Sequence, residues 1–100
     1  MKTLSEPEVR TIDVTVPGRL GFHLRLAAQF VERVQGFHSR IRIRKGELRA
    51  DGKSILDLLV LGAAWKSKLQ IEVAGEDAAQ TVESIKGFFV NQQIISDSHR

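Results

Sequence analysis

The sequence predicts an α+β domain: an open-faced two-layer sandwich in which a four-stranded antiparallel sheet carries three helices on one face, in the order βαββαβα. Three observations lead there. Four short segments alternate polar and apolar residues, the pattern of a strand with one buried face. Three other segments repeat apolar residues at helical spacing. A chain of 100 residues holds a single modest core, so strands and helices must share it as two layers.

The first strand is expected over residues 10–16, with Ile12, Val14 and Val16 inward, and Pro17-Gly18 breaks it. Ala27, Phe30, Val31 and Val34 mark the inner face of a helix over 24–35, closed by Gly36 as its C′ residue. In residues 39–44, Ile41 and Ile43 occupy one face and Arg40, Arg42 and Arg44 the other. Lys45-Gly46 turns the chain into a strand over 47–51, with Leu48 and Ala50 inward. Ser54-Ile55-Leu56-Asp57 fits a capping box, in which serine caps a helix and the acid three residues later caps back. That short helix ends at Gly62. Residues 68–74 form the fourth strand, with Leu69, Ile71 and Val73 inward. Glu76 and Asp77 bring negative charge to the first turn of a last helix, whose inward positions are Ala78, Val82, Ile85 and Phe89. Residues 1–9 are expected as a flexible N-terminal extension, 10–90 as the domain and 91–100 as a C-terminal tail.

Composition narrows the function classes. Apolar residues make up 42% and charged residues 27%, which are globular values. The absence of cysteine excludes disulfides, thiol catalysis and thiolate metal sites, and suits a reducing cytosol. The longest apolar run, 55–64, is interrupted by Asp57 and is too short to span a bilayer. Glu6, Pro7 and Glu8 stand where a signal peptide needs apolar residues. A cytoplasmic protein without membrane insertion is therefore expected. No histidines or carboxylates show metal-ligand spacing, and the glycines lack P-loop spacing, so neither metal nor cofactor is expected. The row Arg40, Arg42, Arg44, Lys45 could track a nucleic-acid backbone, but that face has no aromatic platforms on which bases would stack. It is read instead as a solvated face whose arginines pair with Glu47, Asp13 or Glu72, with no nucleic-acid partner.

The run Gly21-Phe22-His23-Leu24-Arg25-Leu26-Ala27-Ala28 carries the chemistry. His23 falls at the mouth of the first helix, where backbone N–H groups lack intrahelical partners and the potential is positive. Such a place suits an anion, phosphate above all. An imidazole there can accept a phosphoryl group, since histidine is a nucleophile near neutral pH. Arg25 can balance the phosphate charge, and the N–H groups of Leu24 and Arg25 can line the anion site. His38 is read as a surface residue, and His99 lies in the tail.

This octet resembles the active-site signature of the HPr phosphocarrier family, a Gly-Leu-His-x-Arg-Pro-Ala run. The likeness continues through Gln29-Phe30-Val31, Gly36-Phe37, Asp51-Gly52-Lys53-Ser54, Leu61-Gly62 and Gly75-Glu76-Asp77, over residues 10 to 90. It implies a phosphohistidine relay protein of the phosphotransferase system rather than a free-standing enzyme. His23 would accept a phosphoryl group from an enzyme I-type donor, on Nδ1 by resemblance, and pass it to a sugar-specific or regulatory protein acceptor. It also implies docking of partners at the start of the second helix, through Ile55, Leu56 and Leu59. That helix has more apolar residues than one buried stripe can use. Ser54 aligns with a serine phosphorylated by HPr kinase/phosphorylase in many bacteria.

The family pattern breaks at four places. Leu26 stands where the family has proline, Glu32 and Asp57 where it often has lysine, and Lys66 where a glycine is common. The acidic substitutions would select partners other than the usual acidic ones. A second function follows from Leu26, Glu32 and Asp57: a regulatory binding module, controlled through Ser54 or the second helix, that transfers no phosphoryl group.

Overall fold

The computed structural model describes residues 9–17, 21–62 and 66–98, with side chains through residue 92. Strands β1 (Val9–Thr15), β2 (Arg40–Lys45), β3 (Leu48–Asp51) and β4 (Lys68–Ala74) alternate with helices α1 (Leu24–Val34), α2 (Ile55–Leu61) and α3 (Ala78–Ser98) in the order βαββαβα. The sheet runs β1-β4-β2-β3 and every pairing is antiparallel. The helices cover one face, as the alternation of the strands requires.

Register aligns the apolar residues into rows. Ile12 faces Ile71, Ile71 faces Ile43, and Ile43 faces Ala50, so one row crosses all four strands beneath the helices. Ile71 and Ile43 are fully buried, and they meet Phe30, Leu58 and Ile85 from the three helices in one core. Fully burying such side chains contributes about 1.5–3 kcal/mol each. The shift of one residue that would expose this row would bury Arg42 and Glu72, which fixes the register.

A ring cluster ties α1 to α3. Phe22, just ahead of α1, packs edge-on to Phe30 at 5.9 Å and to Phe89 at 6.3 Å between ring centroids. Phe30 and Phe88 lie 5.5 Å apart in the same manner. Edge-to-face pairs of this kind add roughly 0.5–1.5 kcal/mol beyond burial.

The structure corrects several expectations. Val16 is buried but lies beyond the end of β1, its N–H donating to the Ser67 carbonyl at 2.9 Å. Leu48 is not inward: it stands at the tip of the β2–β3 hairpin and is 53% exposed. Gly36 follows α1 as expected, but without a left-handed turn, since the helix unwinds through a bond from the Phe37 N–H to the Val34 carbonyl. The left-handed cap belongs to α2, at Gly62.

The capping box is half formed. Ser54 Oγ accepts from the Asp57 N–H at 3.1 Å, but the Asp57 carboxylate accepts from the Asp51 N–H at 3.0 Å. The Ser54 N–H is already taken by the Asp51 carbonyl, so the acid reaches past it to the end of β3. Asp77 precedes α3 rather than lying in its first turn, and it holds the entrance to β2 instead. The chain from 91 to 98 continues α3, so the expected tail is the end of that helix. Of the expected extension, residues 1–8 lie outside the described residues, as does His99.

Candidate functional site

His23 is the residue that opens α1. Gly21 adopts a left-handed φ of 70°, which lets the chain fold back so that the His23 N–H donates to the Gly21 carbonyl at 2.9 Å. His23 itself is extended (φ −83°, ψ 178°), and its carbonyl accepts from the Ala27 N–H at 2.9 Å, the first bond of the helix. That conformation is the one an N-cap requires. Yet the imidazole makes no capping bond to the backbone. It is half-buried, and Phe22 beside it anchors the loop in the core.

The first turn of α1 suits an anion. The N–H groups of Leu24, Arg25 and Leu26 have no carbonyl one turn earlier within the helix to bond. No acidic residue lies in that turn. Arg25 is exposed, and among the described residues its guanidinium has no ion-pair partner. His23, Arg25, Leu26 and Gln29 line one open hollow of about 240 Å³, with Gln92 of α3 also on its border. The structure thus brings together the His23 and Arg25 singled out from sequence and adds two amide side chains. Gln29 lies one helical turn after Arg25 and was legible as a neighbour. Gln92 was not, because it lies 67 positions after Arg25.

The second predicted region lies on α2. Ser54 is half-buried at the helix N-cap. Ile55 and Leu59 are half-buried and pack against the core, while Leu56 is 74% exposed. Val60, which sequence reasoning missed, is the more open at 83%. Leu56 and Val60 are spaced by four residues and share one helix face, a signal that spacing alone contained. Leu24, on the first turn of α1, is exposed as well. Glu32 and Asp57 are both exposed.

The remaining candidates resolve simply. His38 is exposed, though its N–H is bonded to Asp77. Of the three acids expected to pair with the arginine row, Glu72 takes both Arg44, at 3.2 Å, and Arg42, at 3.9 Å. Among the described residues no cluster of ligating side chains could hold a metal ion, and no helix is long and apolar enough to cross a membrane.

A two-layer βαββαβα sandwich with a histidine at the mouth of its first helix defines a histidine-bearing carrier domain. The chain belongs to the PTS HPr family: residues 10–91 match the model described as "PTS HPr component phosphorylation site". The phosphocarrier protein HPr of Haemophilus influenzae is 37% identical over 73 residues, covering 73% of this chain and 86% of its own. A multiphosphoryl transfer protein of Xanthomonas campestris pv. campestris is 32% identical over 66 residues, which are 66% of this chain and 8% of that protein. Among solved structures, a phosphocarrier protein HPr from Bacillus anthracis superposes with a TM-score of 0.75 at 28% identity, covering 81% of this chain and 96% of that one. The family membership carries with it a phosphocarrier role in the phosphotransferase system.

Proposed function

We propose that His23 accepts a phosphoryl group from an enzyme I-type donor and passes it to a downstream protein acceptor. The observation that supports this is the sharing of one hollow by His23 and the unpaired Arg25 at the open N-terminus of α1. A lone pair on one ring nitrogen attacks phosphorus as the bond to the donor breaks, with Nδ1 the reacting atom by family resemblance. The dianion formed meets the Arg25 guanidinium and the free N–H groups of Leu24 and Arg25. Leucine at 26 keeps an N–H that proline would lack, so the turn offers a third donor.

Partners dock beside this site, with Leu56 as the exposed apolar anchor and the half-buried Ile55 and Leu59 around it. The acceptor is a sugar-specific or a regulatory protein, and the relay runs in the cytoplasm in support of sugar transport. Ser54 is a regulatory phosphorylation site for an HPr kinase/phosphorylase. A phosphate there would keep the anion at the N-terminus of α2, where the dipole favours it.

The test is phosphoryl transfer from labelled phosphoenolpyruvate in the presence of enzyme I. Label on the wild type and none on His23→Ala is the expected result. Equal labelling of the two, or labelling of neither, defeats the proposal. Phosphate confined to Ser54 in protein taken from its own cells would instead favour a regulatory module without transfer.

A further inference from the structure

The face of the sheet turned away from the helices is charged and unevenly neutralised. Arg40, Arg42 and Arg44 of β2 alternate onto it, with Arg49 of β3 and Lys68 of β4, against Asp13, Asp51 and Glu72. Glu72 lies opposite Arg42 and holds both Arg42 and Arg44. Arg40 is opposite Ala74 and Arg49 is opposite Arg44, so neither meets an acid across the ladder. Like charges directly opposite destabilise a sheet. Arg40 and Arg49 are both exposed, with no ion-pair partner among the described residues.

Two shallow hollows of about 610 and 620 Å³ open on this face, one bordered by Arg40, Arg42, Arg49 and Lys53 with Asp51, Asp57 and Glu72, the other by Asp13, Arg44, Lys68 and Gln70. Both are open to solvent rather than closed pockets. Arg49 lies opposite Arg44, four residues along β2 from Arg40, so the two free cations stand roughly 13 Å apart along the strand, the reach of side chains four positions apart in an extended chain.

We propose that this face binds an extended acidic segment of a partner protein, whose carboxylates four positions apart meet Arg40 and Arg49, past the Glu72-held pair. Charge complementarity selects this occupant. Asp13, Asp51 and Glu72, set among the cations, repel a continuous polyphosphate backbone, and the face has no aromatic ring on which a base could stack. A protein segment can place acids only where the cations are free. Because this face is opposite the helices, the segment and a partner at the helical layer bind at once. The inference stands apart from phosphoryl transfer at His23.

The experiment uses a dye-labelled serine-rich peptide with Glu at every fourth position, followed by anisotropy and by backbone amide shifts of the isotope-labelled chain. Saturable binding that weakens with salt, with shifts at residues 40–44 and 49 and none at 23–26, is expected. The double variant Arg40→Gln/Arg49→Gln should bind at least about tenfold more weakly with its amide spectrum otherwise preserved, and Arg49→Gln alone should lie between. No saturable binding, an unchanged affinity in the double variant, or shifts centred on 23–26 would overturn the proposal. Tighter binding of a single-stranded oligonucleotide or of inorganic phosphate to the same face would overturn it too.

Discussion

Asp77 accepts three hydrogen bonds from one short stretch: from the His38 N–H at 2.7 Å, the Ser39 N–H at 2.9 Å and the Ser39 hydroxyl at 2.5 Å. Ser39 is fully buried, and Gly75 leaves it room, since a Cβ at 75 would lie 2.6 Å from Ser39 Oγ. The residue just before β2 is thereby fastened to the residue just before α3. Ser39→Ala removes a bond to a charged acceptor, and the protein should lose about 1.5–3 kcal/mol, read as a lower denaturant midpoint at unchanged slope. An unchanged midpoint would show that water takes over the hydroxyl's part. Nothing in the sequence announced this tie, because its partners lie 38 and 39 positions apart. Asp77 was legible as an acid near a helix start, but its partner was not. His23 and Arg25 were legible because the octet is local: both are set by one turn of backbone. Gln92 reaches them through the packing of α3 on α1, which no short window contains.

Elements were legible where a local pattern decides them. The bounds of β4 agree with the alternation residue for residue, because β4 is a central strand paired on both sides. β3 was misread at Leu48, since edge position and a hairpin tip override alternation. The Ser54 cap was read correctly and its reciprocal partner was not, because Asp51 supplies both the carbonyl for the Ser54 N–H and the N–H for Asp57. A reciprocal box would couple the two side chains; here each serves a different backbone group. Ser54→Ala should cost about 1 kcal/mol, and its cost and that of Asp57→Ala should add within about 0.5 kcal/mol. A double-mutant cycle in denaturant with a larger coupling term would restore the box. Helix α1 allows a sharper test at Leu26. Proline there sacrifices no intrahelical bond, and the stiffer unfolded chain would gain about 0.4–1 kcal/mol. Leu26, however, is 5% exposed and part of the core cluster. Truncating a buried leucine costs about 2–5 kcal/mol. Leu26→Pro should therefore be less stable than the wild type by about 1–3 kcal/mol, the ring keeping part of the lost contact. A more stable variant would mean that the site tolerates the family's proline without repacking.

At the scale of the whole molecule, the two layers were legible because register and helix periodicity concern one shared core. The row Ile12, Ile71, Ile43, Ala50 exists only if four separate alternations agree, and they do. What joins the layers at their ends was not legible, and that gives the whole fold a pH dependence. The Ser39 hydroxyl, and after it the His38 N–H, hold the Asp77 carboxyl down from 3.8 to about 2. The native state thus keeps Asp77 ionised where the unfolded chain would already bind a proton. A group shifted in this direction contributes its full stability above the unfolded value and loses it as pH falls through the folded one. Stability should therefore be level in this respect above about pH 5 and decline between there and about pH 2. Asp77→Asn keeps an acceptor oxygen but has no proton to bind, so its own stability should fall less over that interval. The gap between the two proteins, measured by denaturant unfolding at each pH, should be constant near neutrality, narrow on acidification and stop changing below about pH 2. Parallel curves across the whole range would show that Asp77 titrates alike in the folded and unfolded chains, and that the three donors at β2 serve packing alone.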